Sequence, residues 1–273
     1  MTLKSVVRKL APPIVLEAYR AVRPAPAPRH TWEGVYRSRR EVPASGEGFD
    51  GRAWAAMARQ AAESLHARLT DAGTIPRDAA YDRALLGVLG ALVCRERGRV
   101  RVLDFGGGLG LDYLHLVASL GAACAVDYHI VETPEICREA GGLYPGDAAV
   151  RFHTALPADL AEVDVATINT ALQYVDDWAA LLRALCAYRP RYVLLVRLAA
   201  GDNPTFASAQ VNMRGMSIPH WFLDVREVIR LVRAEGYALI FKSASEQHLP
   251  QDNFPLEYRV GRACNLLFVR EVA

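Results

Sequence analysis

The 273-residue sequence has no apolar run long enough to cross a bilayer: its longest uncharged stretch, Tyr113 to Val126, falls short of the roughly 20 residues a membrane helix requires. It also lacks a secretory pattern, because the apolar segment Leu10 to Leu16 is broken by Pro12 and Pro13 and followed by Glu17. These absences predict an intracellular, cytoplasmic protein. A large charge of either sign is missing too. The 32 basic and 30 acidic residues leave a net +2, whereas nucleic-acid binding relies on clustered Lys and Arg, so no nucleic-acid partner is expected. The five cysteines (Cys94, Cys124, Cys137, Cys186, Cys264) include no CxxC pair and are odd in number, which predicts reduced core thiols. No HxxxH or HExxH pair occurs among the seven histidines and no carboxylate cluster has ligand spacing, so no metal is expected.

What is present is ordinary globular material, 52% hydrophobic and 23% charged, enough for one large α/β domain with a helical extension. Basic charge concentrates in the leader, where Lys4, Arg8, Lys9, Arg20, Arg23 and Arg29 face Glu17 alone. Residues 1–23 could form a basic amphipathic helix, broken at the proline pair, that touches a membrane surface or a partner; Arg23 to Arg29 reads as an extended linker. Residues 31–97 read as a helical cap. Trp54, Met57, Ala58, Ala61, Leu65 and Leu69 recur at helical spacing, and Tyr81, Leu85, Val88, Leu89 and Leu92 repeat the pattern.

From Arg99 the period changes. β-branched runs alternate with amphipathic segments, the signature of βαβ units and a parallel sheet, and a third region, 98–273, follows. Seven strands are predicted: Val100 to Phe105, Ala125 to Val131, Ala149 to His153, Val163 to Asn169, Tyr192 to Leu198, Tyr237 to Lys242 and Asn265 to Val269. Helices are expected between the first six, among them Leu109 to Leu120, Pro134 to Ala140 with Thr133 as N-cap, Asp177 to Ala187 and Asp224 to Glu235. The last link, Ser243 to Ala263, has no helical period and contains Pro250 and Pro255, which predicts a closing antiparallel pair.

The first strand ends in Asp104 and runs into Gly106, Gly107, Gly108 and Gly110. Such a turn lets backbone approach a ligand at a helix start. The spacing is GxGxG, whereas the dinucleotide fingerprint is GxGxxG, so NAD is the second choice of cofactor; no GK[ST] follows, which excludes a Walker A loop. Glu132 ends the second strand, where a carboxylate can accept both hydroxyls of an adenosyl ribose. Asp127 is the rival by spacing, but it falls within the strand rather than at its carboxyl end.

Six helix-linked strands with a closing hairpin resemble the class I S-adenosylmethionine-dependent methyltransferases, a Rossmann-like fold, over about residues 98–270. Leu103 to Gly110 is similar to the DxGGGxG loop of small-molecule O-methyltransferases, and Glu132-Thr133-Pro134 to their acidic-x-Pro turn. The resemblance implies S-adenosylmethionine as cofactor, with Asp104 ordering the loop and methionine end, Asn169 and Thr170 flanking the methionine, and His153 with Thr154 near adenine. Trp32 to Tyr36 with Gly48-Phe49-Asp50 also resembles an uncharacterised bacterial methyltransferase family encoded beside surface-polysaccharide genes, which implies a small-molecule or carbohydrate acceptor.

A hydroxyl acceptor calls for a general base, which small-molecule O-methyltransferases usually place as a histidine after the fourth strand. This chain has Gln173 there, followed by Tyr174, and glutamine takes no proton. His220, within Ser217 to Phe222, is the first substitute and His153 the second. The long link Ala199 to Phe222 is expected to lid the acceptor pocket together with Tyr174 and Tyr36, with Arg197 or Arg214 reading an anionic or sugar-like group and Trp221 contributing to the wall. The rival functions are an NAD-type oxidoreductase and a non-catalytic module that retains the cofactor.

Overall fold

A computed structural model describes residues 30–72, 83–213 and 215–271. The basic leader with its membrane contact, Tyr81 and Arg214 lie outside these residues. In chain order the elements are β1 (Trp32–Tyr36), α1 (Arg52–Ala72), α2 (Ala84–Arg97), β2 (Arg99–Phe105), α3 (Leu111–Leu120), β3 (Ala125–Val131), α4 (Pro134–Ala140), β4 (Val150–His153), β5 (Val165–Asn169), α5 (Trp178–Ala187), β6 (Tyr192–Leu198), β7 (Ala200–Gly201), β8 (Phe206–Gln210), β9 (Ile218–Asp224), α6 (Val225–Ala234), β10 (Tyr237–His248) and β11 (Arg262–Arg270). None of the described helices is long and apolar enough to cross a membrane.

The main sheet has seven strands in the order β10-β11-β6-β5-β2-β3-β4. β2, β3, β4, β5 and β6 run parallel, and β11 joins antiparallel between β6 and β10. The fold is therefore the seven-stranded, mostly parallel sheet with a closing antiparallel hairpin that the sequence predicts. Its central parallel strands β5 and β6 are mostly apolar on both faces because helices cover both. One layer gathers Leu103, Ile168, Leu182, Val228 and Phe268; the other gathers Leu89, Val93, Val102, Tyr128 and Leu194. Helix starts follow local chemistry. Thr133 accepts from the Ile136 amide (3.4 Å), Asp177 from Ala180 (2.8 Å) and Asp224 from Arg226 (2.8 Å). The order reverses between β2 and β5, so a crevice opens at their carboxyl ends.

Four expectations need correction. Trp32–Tyr36, assigned to the helical cap, is a strand paired antiparallel with β8, so only the later part of 31–97 is helical. The link Ala199 to Phe222, expected as a long loop, folds into β8 and β9, which with β1 and β7 make a second sheet in the order β1-β8-β9-β7. Alternation explains it. Phe206 and Phe222 stack at 5.0 Å on one face with Trp32 and Phe254, while Ala207 and Ala209 pack with Val42 on the other. Ala207, Ser208 and Ala209 in the middle of β8 and Pro219 in β9 hide the strand period from a reading based on β-propensity. No helix joins β4 to β5; residues 154–164, with Pro157 among them, run as turns and extended chain. Finally, Cys94 at the end of α2 and Cys124 before β3 are paired as a disulfide, their Cα atoms 5.8 Å apart, leaving Cys137, Cys186 and Cys264 as thiols. Spacing along the chain does not report that proximity, which comes from α2 leading directly into β2 beside β3.

Candidate active site

The glycine loop is tied down by backbone and carboxylate together. The Gly106 amide bonds the Val131 carbonyl (2.9 Å), which clips the loop to the end of β3. Glu132 then accepts from the Gly108 amide (3.0 Å) through Oε1 and from the Thr133 amide (2.8 Å) through Oε2, joining the loop to the start of α4. Gly110 has φ +80 at the N-cap of α3, and a Cβ there would meet the Tyr144 hydroxyl at 2.8 Å; that hydroxyl itself donates to the Leu109 carbonyl (2.6 Å). A Cβ at Gly108 would meet nothing within 4 Å, so the loop is open on its ligand side.

Asp104 lies directly under the loop, fully buried. Its Oδ2 accepts the Tyr128 hydroxyl (2.9 Å), and its Oδ1 is buried without a partner among the described residues. Burial, reinforced by Asp112 and then Glu132, holds its carboxyl well above the usual carboxylate range. Asn169 and Thr170 end β5 on the facing side. Asn169 Nδ2 donates to Asp112 Oδ2 (2.8 Å), while its Oδ1 accepts from Arg197 Nε (2.9 Å) and the Thr170 hydroxyl (3.1 Å). Asp112 Oδ1 in turn holds Arg83 Nε at 2.6 Å. A charged chain from α2 to β6 thus sets the pose of Asn169. Thr170 has φ +67, a left-handed conformation that is costly for a β-branched residue and marks the sharp exit from the strand.

A cavity of about 670 Å³ spans the crevice, a size typical of small-molecule sites. Its deep end is formed by Phe105, Gly106, Val131, Glu132, Thr133, Asn169 and Thr170, and its outer end by Arg39, residues 44–49, Trp54, Tyr174, Gln210, Met213 and residues 217–219. Gly106, Glu132, Asn169, Thr170 and Tyr174 therefore meet on one wall, with Asp104, Gly107, Gly108 and Gly110 building the loop behind them. His153 and Thr154 do not line it. His153 stacks on His129 at 5.2 Å and shares a hydrogen bond with it (2.9 Å), beside the ion pairs of Asp127 with Arg101 and Arg151. Asp127 is thereby accounted for away from the loop. Tyr36, Arg197, Gln173 and Trp221 are also off the cavity wall. Tyr36 packs with Val42, Gln173 Nε2 reaches the Arg197 carbonyl (3.4 Å), and Trp221 Nε1 donates to the Val175 carbonyl (3.1 Å).

His220 is the main correction among the catalytic candidates. It is 2% exposed, enclosed by Trp32, Tyr174 and Phe222, and absent from the cavity wall. Burial, helped by Arg39, lowers its pKa to about 3, so it is neutral at physiological pH and a very weak base. The stability consequence follows in sign. An unfolded histidine titrates near ~6.5, so the unfolded chain takes up a proton as pH falls below that value while the folded one does not. His220 is thus expected to cost up to ~1.4 kcal/mol of stability per pH unit on acidification below ~6.5, with no cost above it. Urea midpoints at pH 7 and 5 should differ more in the parent than in His220→Phe; equal differences would show that the ring is not held neutral.

Sequence reasoning missed Arg39, Phe49, Asp112 and Arg83. Arg39 Nε bonds Asp176 (2.6 Å), and its Nη1 meets the carbonyls of Gln173 and Pro219, which pins the segment after β1 to the turn after β5 and to β9. Phe49 wedges edge-on between Trp54 (4.9 Å) and Tyr174 (4.6 Å). The only sequence signal for Arg39 and Phe49 was their setting in a polar and aromatic segment before the sheet; Asp112 stands in the first turn of the helix after the glycine loop, and Arg83 just before α2.

A family model described as "Methyltransferase domain" matches residues 54–244, most of the chain and all of the crevice strands. The chain belongs to the S-adenosylmethionine-dependent methyltransferase family. No curated protein sequence matches the chain. Among solved structures, a chain of the Haloferax volcanii complex between a methyltransferase activator and a methyltransferase superposes with TM-score 0.50 at 17% identity, covering 82% of this chain and 96% of that one. The CcbJ methyltransferase of Streptomyces caelestis gives 0.48 at 15% identity over 72% and 91%. The 1,6-didemethyltoxoflavin-N1-methyltransferase of Burkholderia thailandensis gives 0.44 at 20% identity over 80% and 90%. These likenesses concern the fold. Family membership removes the oxidoreductase alternative, in keeping with the GxGxG spacing of the loop.

Proposed function

We propose that this methyltransferase carries a methyl group from S-adenosylmethionine to the oxygen of a small-molecule acceptor held in the outer end of the cavity. The observation that carries this reading is the Gly108 amide to Glu132 bond from the loop after β2 to the end of β3, which leaves a side-chain-free loop facing a ribose-binding carboxylate. The residues present suit the cofactor: a buried Asp104 oxygen without a protein partner under the loop, a Gly107 with no room for a side chain, and Asn169 and Thr170 opposite.

When bound, the cofactor supplies an activated methyl group on a sulfonium. The chain's own residues then act by placement. Glu132 holds the loop and accepts ribose hydroxyls; Asn169 and Thr170 confine the methionine end; Tyr174 and Phe49 exclude water from the acceptor side. Orientation of this kind is worth up to roughly 7–11 kcal/mol of barrier in favourable cases.

Calorimetric titration tests the reading. The parent is expected to bind S-adenosylmethionine and not NAD, and Glu132→Ala should weaken that binding about 10- to 100-fold, the ~1.5–3 kcal/mol of a hydrogen bond to a charged group. NAD binding, or full affinity in the variant, would overturn it.

A further inference from the structure

The outer end of the cavity has three properties that binding the cofactor does not require. Its wall is aromatic, with Phe49 edge-on to both Trp54 and Tyr174. Its polar side chains are largely spent on one another: the Tyr174 hydroxyl donates to Gln210 Oε1 (2.7 Å), Gln210 Nε2 to Asn212 Oδ1 (2.9 Å), and the Ser217 hydroxyl to the Pro43 carbonyl. A sugar ring brings a hydroxyl on most of its carbons, and each one buried without a partner costs about 1–3 kcal/mol. Third, no histidine lines the cavity among the described residues. Tyr174, almost wholly buried, keeps its proton because burial raises its pKa more than its Gln210 hydrogen bond and Arg39 lower it, and the carboxylates are Glu132 after β3 and exposed Glu47 at the rim.

One cation stands on this wall. Arg39 is 14% exposed; its Nε is paired with Asp176, whose own side chain is 88% exposed and solvated, its Nη1 meets two carbonyls, and its Nη2 meets no acceptor among the described residues. A guanidinium beside an acid favours the ionised form.

We propose that the acceptor is a planar, phenol-type compound that stacks against the Phe49–Tyr174 wall and ionises in the field of Arg39 without an enzyme base. The proposal rests on the methyl-transfer reading above and narrows its acceptor. A phenol titrates near pH ~10, as tyrosine does, so a modest downward shift makes a useful fraction of phenolate near neutrality. A sugar hydroxyl is a far weaker acid and would need the base that this wall lacks. The phenolate oxygen forms the new C–O bond as the sulfonium C–S bond breaks; the bonding pair leaves with sulfur and the phenolic proton goes to water.

The test begins with protein saturated with S-adenosylhomocysteine, titrated calorimetrically with 4-cyanophenol, 4-nitrophenol, methyl glucoside and UDP-glucose. The two phenols are expected to bind one to one, and Phe49→Ala to weaken them at least about tenfold; Phe49→Leu serves if the alanine variant no longer binds S-adenosylhomocysteine. With S-adenosylmethionine supplied, mass spectrometry should find the aryl methyl ether. The rising limb of kcat/KM against pH should move with the pKa of each phenol in the series. Binding of a glucoside or UDP-glucose without the phenols, binding of none of them, or a limb fixed at one pH whichever phenol is used would each overturn the proposal. Failure of the parent to bind S-adenosylhomocysteine would instead defeat the cofactor reading, and this proposal with it.

Discussion

Replacing Gly107 by alanine is expected to lower affinity for S-adenosylmethionine about 100-fold or more, roughly 2.8 kcal/mol, while the sheet stays folded. A Cβ at this position would sit 2.3 Å from Asp104 Oδ2, 2.7 Å from its Cγ and 3.2 Å from Ile130 Cγ2. The carboxylate has no route of escape, because it is buried and held by the Tyr128 hydroxyl. The loop has to rise, and it would carry the Gly108 amide away from Glu132. Gly108→Ala is the informative comparison: its Cβ points into open space, and its main cost is the φ of +58, ~1–2 kcal/mol for an L-residue. Calorimetry on both variants, with a thermal melt of each, checks the order. Equal affinities for Gly107→Ala and the parent would mean that Asp104 does not brace the loop.

Asp112→Ala is expected to cost about 3–5 kcal/mol of folding stability, the usual effect of stranding one member of a buried ion pair. Asp112 and Arg83 are 8% and 14% exposed, and the aspartate also carries the Asn169 amide. Two losses are therefore expected together, a lower urea midpoint and weaker cofactor binding as Asn169 loses its bearing. Asp112→Ala combined with Arg83→Met should recover much of the stability, since no charge is left stranded, but not the affinity, since Asn169 is still unsupported. Recovery of both in the double variant would show that the pair acts only as a structural tie.

Much of the main sheet is legible locally. Ala125–Val131, Pro134–Ala140 and Tyr192–Leu198 have the bounds their residue patterns predict, because β-branched runs, a Thr-Pro helix start and glycine breaks all act within a few residues. The site divides along the same line. Asp104, the glycines and Glu132 belong to one strand-turn-helix unit and its neighbouring strand, where residue order nearly dictates position. Arg39, Phe49 and Tyr174 meet only because β1 crosses to β8, a pairing in which the Ser208 hydroxyl reaches the Glu33 carbonyl across 175 positions of sequence. His220 shows the cost of reading chemistry without burial: its place in a polar and aromatic segment suggested a base, and packing against Trp32 and Phe222 leaves it neutral and enclosed.

By itself, then, the sequence determined the fold class and the cofactor loop, since hydrophobic period, capping and glycine conformation are local properties of a chain. Tertiary structure alone decided the aromatic outer wall of the cavity, the Cys94–Cys124 pair and the charged chain from Arg83 to Arg197. Those depend on which distant segments come to lie side by side: the wall on the pairing of β1 with β8, the cysteine pair and the charged chain on the packing of α2 and α3 beside the main sheet.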